Sequence, residues 1–141
     1  MSEKTIFKKL LAVQSDLSQM GIGKSEWNDF SKYNFRGIDQ VYQVLSPILV
    51  NHGVIIMPNV QSVELSDVKT SGGKSSCRAV ASVEYHFFDE SGNSVAMRSY
   101  GEGIDTSDKA TNKAITAAYK YMIFQAYAIN RVIFTFYRFV R

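Results

Sequence analysis

The chain has a single cysteine, Cys77, among its 141 residues. That excludes an intramolecular disulfide and a cysteine-rich zinc site, and it fits a reducing cytoplasm. Long apolar runs are missing too. No stretch of about 18 uncharged apolar residues occurs, so neither a membrane span nor a membrane partner is expected. The nearest approach lies at the chain end, where Lys120 and Arg131 interrupt it. The opening residues, MSEKTIFKKLLAVQSDLSQM, hold no apolar run of the length a signal peptide needs. Acids are missing from Lys109 to the end of the chain. What is present is an ordinary globular mixture, 45% hydrophobic and 21% charged. Disorder throughout is excluded, and the length suits one domain that buries about two-thirds of its unfolded surface.

The formal charge of +3 is unevenly spread. Residues 131–141 (RVIFTFYRFVR) contain Arg131, Arg138 and Arg141 and no acid. Without them, residues 1–130 carry 13 basic and 13 acidic side chains. Any attraction to a polyanion must therefore come from a local patch, not from net charge.

Periodicity sets out the elements. Ile6, Leu10, Val13, Leu17 and Met20 recur at helical steps, predicting a helix over 4–20 that Gly21 and Gly23 end. Residues 21–37 form a polar, aromatic-rich loop. A second helix is expected over 39–52, opened by Asp39 and stopped by Gly53, with a kink or a fresh turn at Pro47. The period then shortens to two. Residues 54–65 read as a strand. Residues 77–88 alternate, with Cys77, Ala79, Ala81, Val83, Tyr85 and Phe87 on one side and mostly polar residues on the other. Cys77 is expected to be a small core residue. A third strand over 94–102 follows the turn DESGN, and a flexible tip is expected over 66–76. A last helix spans about 107–127. The order α-α-β-β-β-α predicts an α+β domain built on a three-stranded antiparallel meander over residues 1–130, followed by an atypical basic, aromatic tail over 131–141.

The last helix carries the most chemistry. Lys109, Lys113, Thr116 and Lys120 fall within about 60° of one another at 100° per residue and form a stripe roughly 16 Å long. Ala110, Ala114, Ile115, Ala118, Tyr121 and Met122 lie on the other side, where small residues let the helix sit close on the sheet. Such a stripe is either a solvated helix surface or a row that attracts phosphates, and the missing acids favour the second. Arg78, on the wet side of the second strand, and Arg98, on the third, are further candidate cations. Glu102, Asp105 and Asp108 precede the helix. Asp105 and Asp108 read as caps, and the alternative is a divalent cation held by all three.

A second candidate is Tyr33-Asn34-Phe35-Arg36-Gly37-Ile38-Asp39. Tyr33 and Phe35 beside Arg36 suit stacking on bases with a phosphate held alongside, or else packing in the core with Arg36 paired to Asp39. Gly21-Ile22-Gly23-Lys24-Ser25 lacks the earlier glycine and the preceding strand of a phosphate loop, so no nucleotide and no cofactor are expected. His52 and His86 neighbour no nucleophile, and no catalytic residue is identified.

Taken together, these segments resemble the ERF family, the phage essential-recombination-function proteins that anneal single-stranded DNA. The matching residues are Tyr33, Phe35-Arg36-Gly37-Ile38-Asp39, Ser46-Pro47-Ile48-Leu49 and His52-Gly53, then Gly103, Asp105, Asp108-Lys109-Ala110, Ala114, Thr116-Ala117 and Tyr119-Lys120-Tyr121. The last helix is also similar to that of eukaryotic annealing proteins built on a β-β-β-α core. The resemblance implies a single-strand annealing protein of homologous recombination, not an enzyme, acting without ATP in a bacterial host cell. It implies a homo-oligomer, usually a ring, that binds single-stranded DNA. The expected DNA contacts are Lys109, Lys113, Lys120, Arg36, Tyr33, Phe35, Thr116, Arg78 and Arg98. The chain departs from the family pattern after about Ala126, and 131–141 reads as a shortened or altered end, or as an added adhesive tail. A protein-interaction module and a metal-dependent nuclease using Glu102, Asp105 and Asp108 stand as alternatives.

Overall fold

The structure is a computed structural model that describes residues 2–20, 38–69 and 71–128. Three helices and three strands follow one another as α1 (Ser2–Met20), α2 (Ile38–His52), β1 (Val54–Lys69), β2 (Ser75–Asp89), β3 (Ser94–Asp105) and α3 (Ala110–Ala126). The strands form one antiparallel sheet in the order β1-β2-β3. The fold is α+β with the order α-α-β-β-β-α. The expected loop over 21–37, the tail over 131–141 and the glycine-lysine-serine segment lie outside the described residues.

The chain divides into two compact units. One comprises α1, α2, the start of β1, the β2–β3 turn region and residues 123–128. Here α1 buries Ile6, Val13 and Leu17, and α2 buries Val41, Val44 and Leu45. In α1 these belong to the apolar row that the 3- and 4-residue steps predict, in α2 the buried residues follow the same helical spacing, and the two helices pack together. α2 continues through Pro47 with no break into a fresh turn. Its missing N–H costs little there, because Gln43, whose carbonyl loses the bond, lies exposed with Pro47. Gly53 ends the helix at φ +69, and its N–H donates to Val50 O at 3.2 Å. A Cβ at Gly53 would strike the Glu90 carboxylate, which is ion-paired with Lys9. His52 Nε2 meets Asp16 Oδ2 at 2.7 Å.

The other unit holds most of the sheet and α3 as far as Met122. β2 is central, which explains why it is more buried than its alternation predicts. Ala79, Ala81, Val83 and Tyr85 are sequestered, and on the other side Ser76 and Ser82 are buried as well. Cys77 is half-buried, not a core residue, because it sits near the strand's end. β1 and β2 run four and two residues beyond their expected ends, to Lys69 and back to Ser75, so the hairpin tip is shorter than expected. Apart from Val68 the extra residues are polar, and cross-strand hydrogen bonding outweighs their weak strand propensity.

α3 packs on the sheet through small residues. Ala110, Ala114 and Ala118 are buried at four-residue spacing, and they meet Gly101 and Gly103 at two-residue spacing on β3. A Cβ at Gly103 would lie 2.6 Å from Lys113 Cβ and 2.8 Å from Ala110 O. A Cβ at Gly101 would collide with Ala114 O and Ala118 N. Ser99, next in the same row, donates from Oγ to Ala118 O at 3.0 Å. Tyr119 stands edge-on to Tyr85 at 5.8 Å between ring centroids.

This close approach predicts a sharp contrast between two glycines. Gly101→Ala must push helix backbone away, and should destabilise by roughly 1–3 kcal/mol or more. Gly72→Ala, at the hairpin tip with nothing within 4 Å of the added carbon, should leave the melting temperature unchanged. Thermal unfolding followed by circular dichroism compares the two directly.

Candidate nucleic-acid interface

Backbone alternation sorts the candidate residues onto two surfaces. Ser99, Gly101 and Gly103 point at α3, so Arg98 and Glu102 point away from it. Tyr85 likewise faces α3, so Arg78, Glu84 and His86 share the far face of the sheet. Arg78 Nε donates to Glu102 Oε1 at 2.6 Å. Arg98 lies 3.8 Å from Glu84 Oε2, and the same glutamate meets His86 Nε2 at 2.9 Å. The hydrogen bond from Arg78 holds the Glu102 carboxyl below its ordinary range, and Glu102 raises the arginine in return. Both arginines are thus drawn against glutamates, on the opposite side of the sheet from the lysine stripe.

Lys109, Lys113, Thr116 and Lys120 do stand together on the outer side of α3. With Asn112 and Ala117 they line a shallow open depression of about 260 Å³. Asn112 is the residue that sequence reasoning missed. Its signal was present in the spacing: Asn112 lies three residues after Lys109 and four before Thr116, within helical reach of both. Lys109 and Lys113 are exposed, whereas Thr116 and Lys120 are half-buried. Ile123, Phe124 and Tyr127, which continue the same side of the helix, are buried.

The helix begins at Ala110, three residues later than expected. Residues 106–109 form the entry turn, organised by Asp105. Its Oδ2 accepts from Ser107 N–H at 2.9 Å, Ser107 Oγ at 2.6 Å and Lys109 N–H at 3.2 Å. Its Oδ1 lies 2.8 Å from Lys113 Nζ, which also donates to Ile104 O at 3.3 Å. The stripe is therefore not free of acids in three dimensions. The Lys113 ammonium, then Ser107, hold the Asp105 carboxyl far below the usual carboxylate range. Asp108 is exposed. With Glu102 turned toward Arg78, the three carboxylates do not converge, and no cluster able to hold a metal occurs among the described residues.

Tyr33, Phe35 and Arg36 lie outside the described residues. Among the described residues, no helix is long and apolar enough to cross a membrane. The ERF superfamily model matches residues 6–131, most of the chain. The chain belongs to the ERF superfamily. At the level of the family, this places it with proteins of phage recombination and single-strand annealing. No curated protein and no solved structure gives a significant match.

The paired carboxylates fix the direction of acid sensitivity. Burial would raise Asp89, but hydrogen bonds from Asn93 and Ser91 outweigh it, so Asp89, Glu102 and Asp105 all sit below their ordinary values. Each binds its proton more weakly folded than unfolded. The stability they contribute is therefore present above the unfolded carboxylate range near pH 4 and is lost as pH falls below it. The melting temperature should hold from pH 7 to about pH 5 and drop steadily below about pH 4. In Asp89→Asn that acid slope should be shallower.

Proposed function

We propose that this protein binds single-stranded DNA without sequence preference and anneals complementary strands without ATP. The observation that carries the reading is the outer face of α3, where Lys109, Lys113, Thr116 and Lys120 line one depression in a chain that belongs to the ERF superfamily. Lysine contacts to phosphate are indifferent to sequence, as annealing requires. Pairing two strands is itself downhill, since stacking contributes about 1.4 kcal/mol per base step, so a protein need only open self-structure and bring strands together. Asn112 and Thr116 supply hydrogen bonds beside the lysines. Tyr33, Phe35 and Arg36 join the proposal on their sequence alone, as a stacking pair with a phosphate-holding arginine. Arg78 and Arg98 fit it less well, because they face the other side of the sheet with glutamate partners.

A few cations per chain grip weakly. Assembly of several chains along one strand sums weak sites through effective concentration. Among the described residues β1 is an edge strand, which favours such a homo-oligomer, for Met57, Val60 and Leu65 on it are exposed. The protein acts in this reading as a binder and not as an enzyme, in the host cytoplasm.

Fluorescence anisotropy with a labelled oligothymidylate tests this reading, beside an annealing assay with no nucleotide. Log affinity should fall with log salt by about 0.7 per phosphate neutralised. Replacing both Lys109 and Lys120 with Glu should weaken binding at least tenfold, about 1.4 kcal/mol, for every sequence tested, in a chain that circular dichroism shows to be folded. Unchanged affinity in that variant, or a requirement for ATP, overturns the reading. Strand cleavage that needs magnesium would favour a nuclease instead.

A further inference from the structure

The two oxygens of Asp105 do different work. Oδ2 takes all three hydrogen bonds from the entry turn, those of Ser107 N–H, Ser107 Oγ and Lys109 N–H. Oδ1 faces Lys113 Nζ at 2.8 Å. The turn is thus built without Lys113, and the lysine can leave without undoing it. The Asp105 side chain is only 14% exposed, while that of Lys113 is 52% exposed. One partner is fixed in the fold and the other is a long side chain at the surface. The Lys113 ammonium also bonds to Ile104 O, which turns it back toward the end of β3 rather than out along the depression. A cation this close to an anion presents little net charge to a distant phosphate.

We propose that Asp105 is an internal counter-ion that competes with DNA phosphate for Lys113 and so sets the strength of the grip. The inference rests on the single-strand-binding reading above. In the unbound protein Asp105 holds Lys113. A backbone phosphate entering the depression takes the ammonium over, and Asp105 keeps its three bonds to the turn. The exchange replaces one anion with another around the same cation, so each phosphate gained at this position is gained at a discount. A strand held this way can be released and re-gripped as it searches for its complement. Asp105 acts through Lys113, and it is a positioning residue.

The test compares Asp105→Asn, Lys113→Ala and the double variant with the unaltered chain, by anisotropy on labelled oligothymidylate over a salt series. Asparagine keeps an oxygen for Ser107 and Lys109 but removes the charge. Asp105→Asn should bind about fivefold tighter, with a salt slope steeper by about 0.7. Lys113→Ala should weaken binding in the unaltered chain, and by several-fold more in the Asp105→Asn background. Equal or weaker binding by a folded Asp105→Asn chain, while the unaltered chain binds, overturns the competition and leaves the annealing reading standing. Absence of binding by both chains overturns the two together. If Asp105→Asn does not fold, the carbon-13 signal of the Asp105 carboxyl in the unaltered chain decides. A shift on adding oligothymidylate supports the exchange, and an unmoved signal under saturating DNA overturns it.

Discussion

The contact on which the candidate surface depends is the bare backbone-to-backbone approach of β3 and α3. Gly101 and Gly103 leave no side chain on the strand, and Ala110, Ala114 and Ala118 leave almost none on the helix. Two periods meet there, two residues on the strand and four on the helix, and both are filled with the smallest side chains available. Close approach multiplies weak dispersion contacts and removes backbone from water without a large apolar side chain on either partner. It also fixes the rotation of the helix. Once the alanine row is committed to the sheet, the lysine row has only the outside to face.

That placement brings the end of β3 beside the first turn of α3. Asp105 is the last strand residue, and Lys113 is one turn into the helix, so eight residues of chain return to the same spot. A carboxylate at this corner serves the entry turn, where unpaired N–H groups would otherwise face solvent. It also reaches Lys113, which the fold carries past it. The consequence is a stripe whose members differ. Lys109 and Lys113 are exposed, Lys113 is held by Asp105, and Lys120 is half-buried.

The far face of the sheet follows a different logic. Arg78, Glu102, Arg98, Glu84 and His86 alternate in sign across neighbouring strands. Such exposed pairs each contribute on the order of 0–1 kcal/mol, so their main effect is to keep this face of the sheet polar and close to neutral. Residues 1–130 carry equal numbers of basic and acidic side chains, so the lysine row of α3 is a local concentration of charge and not a share of a net excess.

Local pattern determined much of this by itself. The order of elements, the rows Ile6–Val13–Leu17 and Val41–Val44–Leu45, the alternation of β2 and the lysine stripe each depend on spacing within one segment, and spacing is written in the chain. The motif residues in the last helix likewise carried the family. What tertiary structure decided were relations between segments. That β2 is central buries Ser82. That Glu102 and Arg78 meet on the far face dissolves the three-carboxylate cluster and parts both arginines from the stripe. That Asp105 folds back onto Lys113 changes a solvated lysine into an ion pair. Each of these turns on which residues from distant positions share a face. Periodicity reports the face but not the neighbour, because the neighbour is chosen by packing across the sheet, where Gly101 and Gly103 let α3 come to rest.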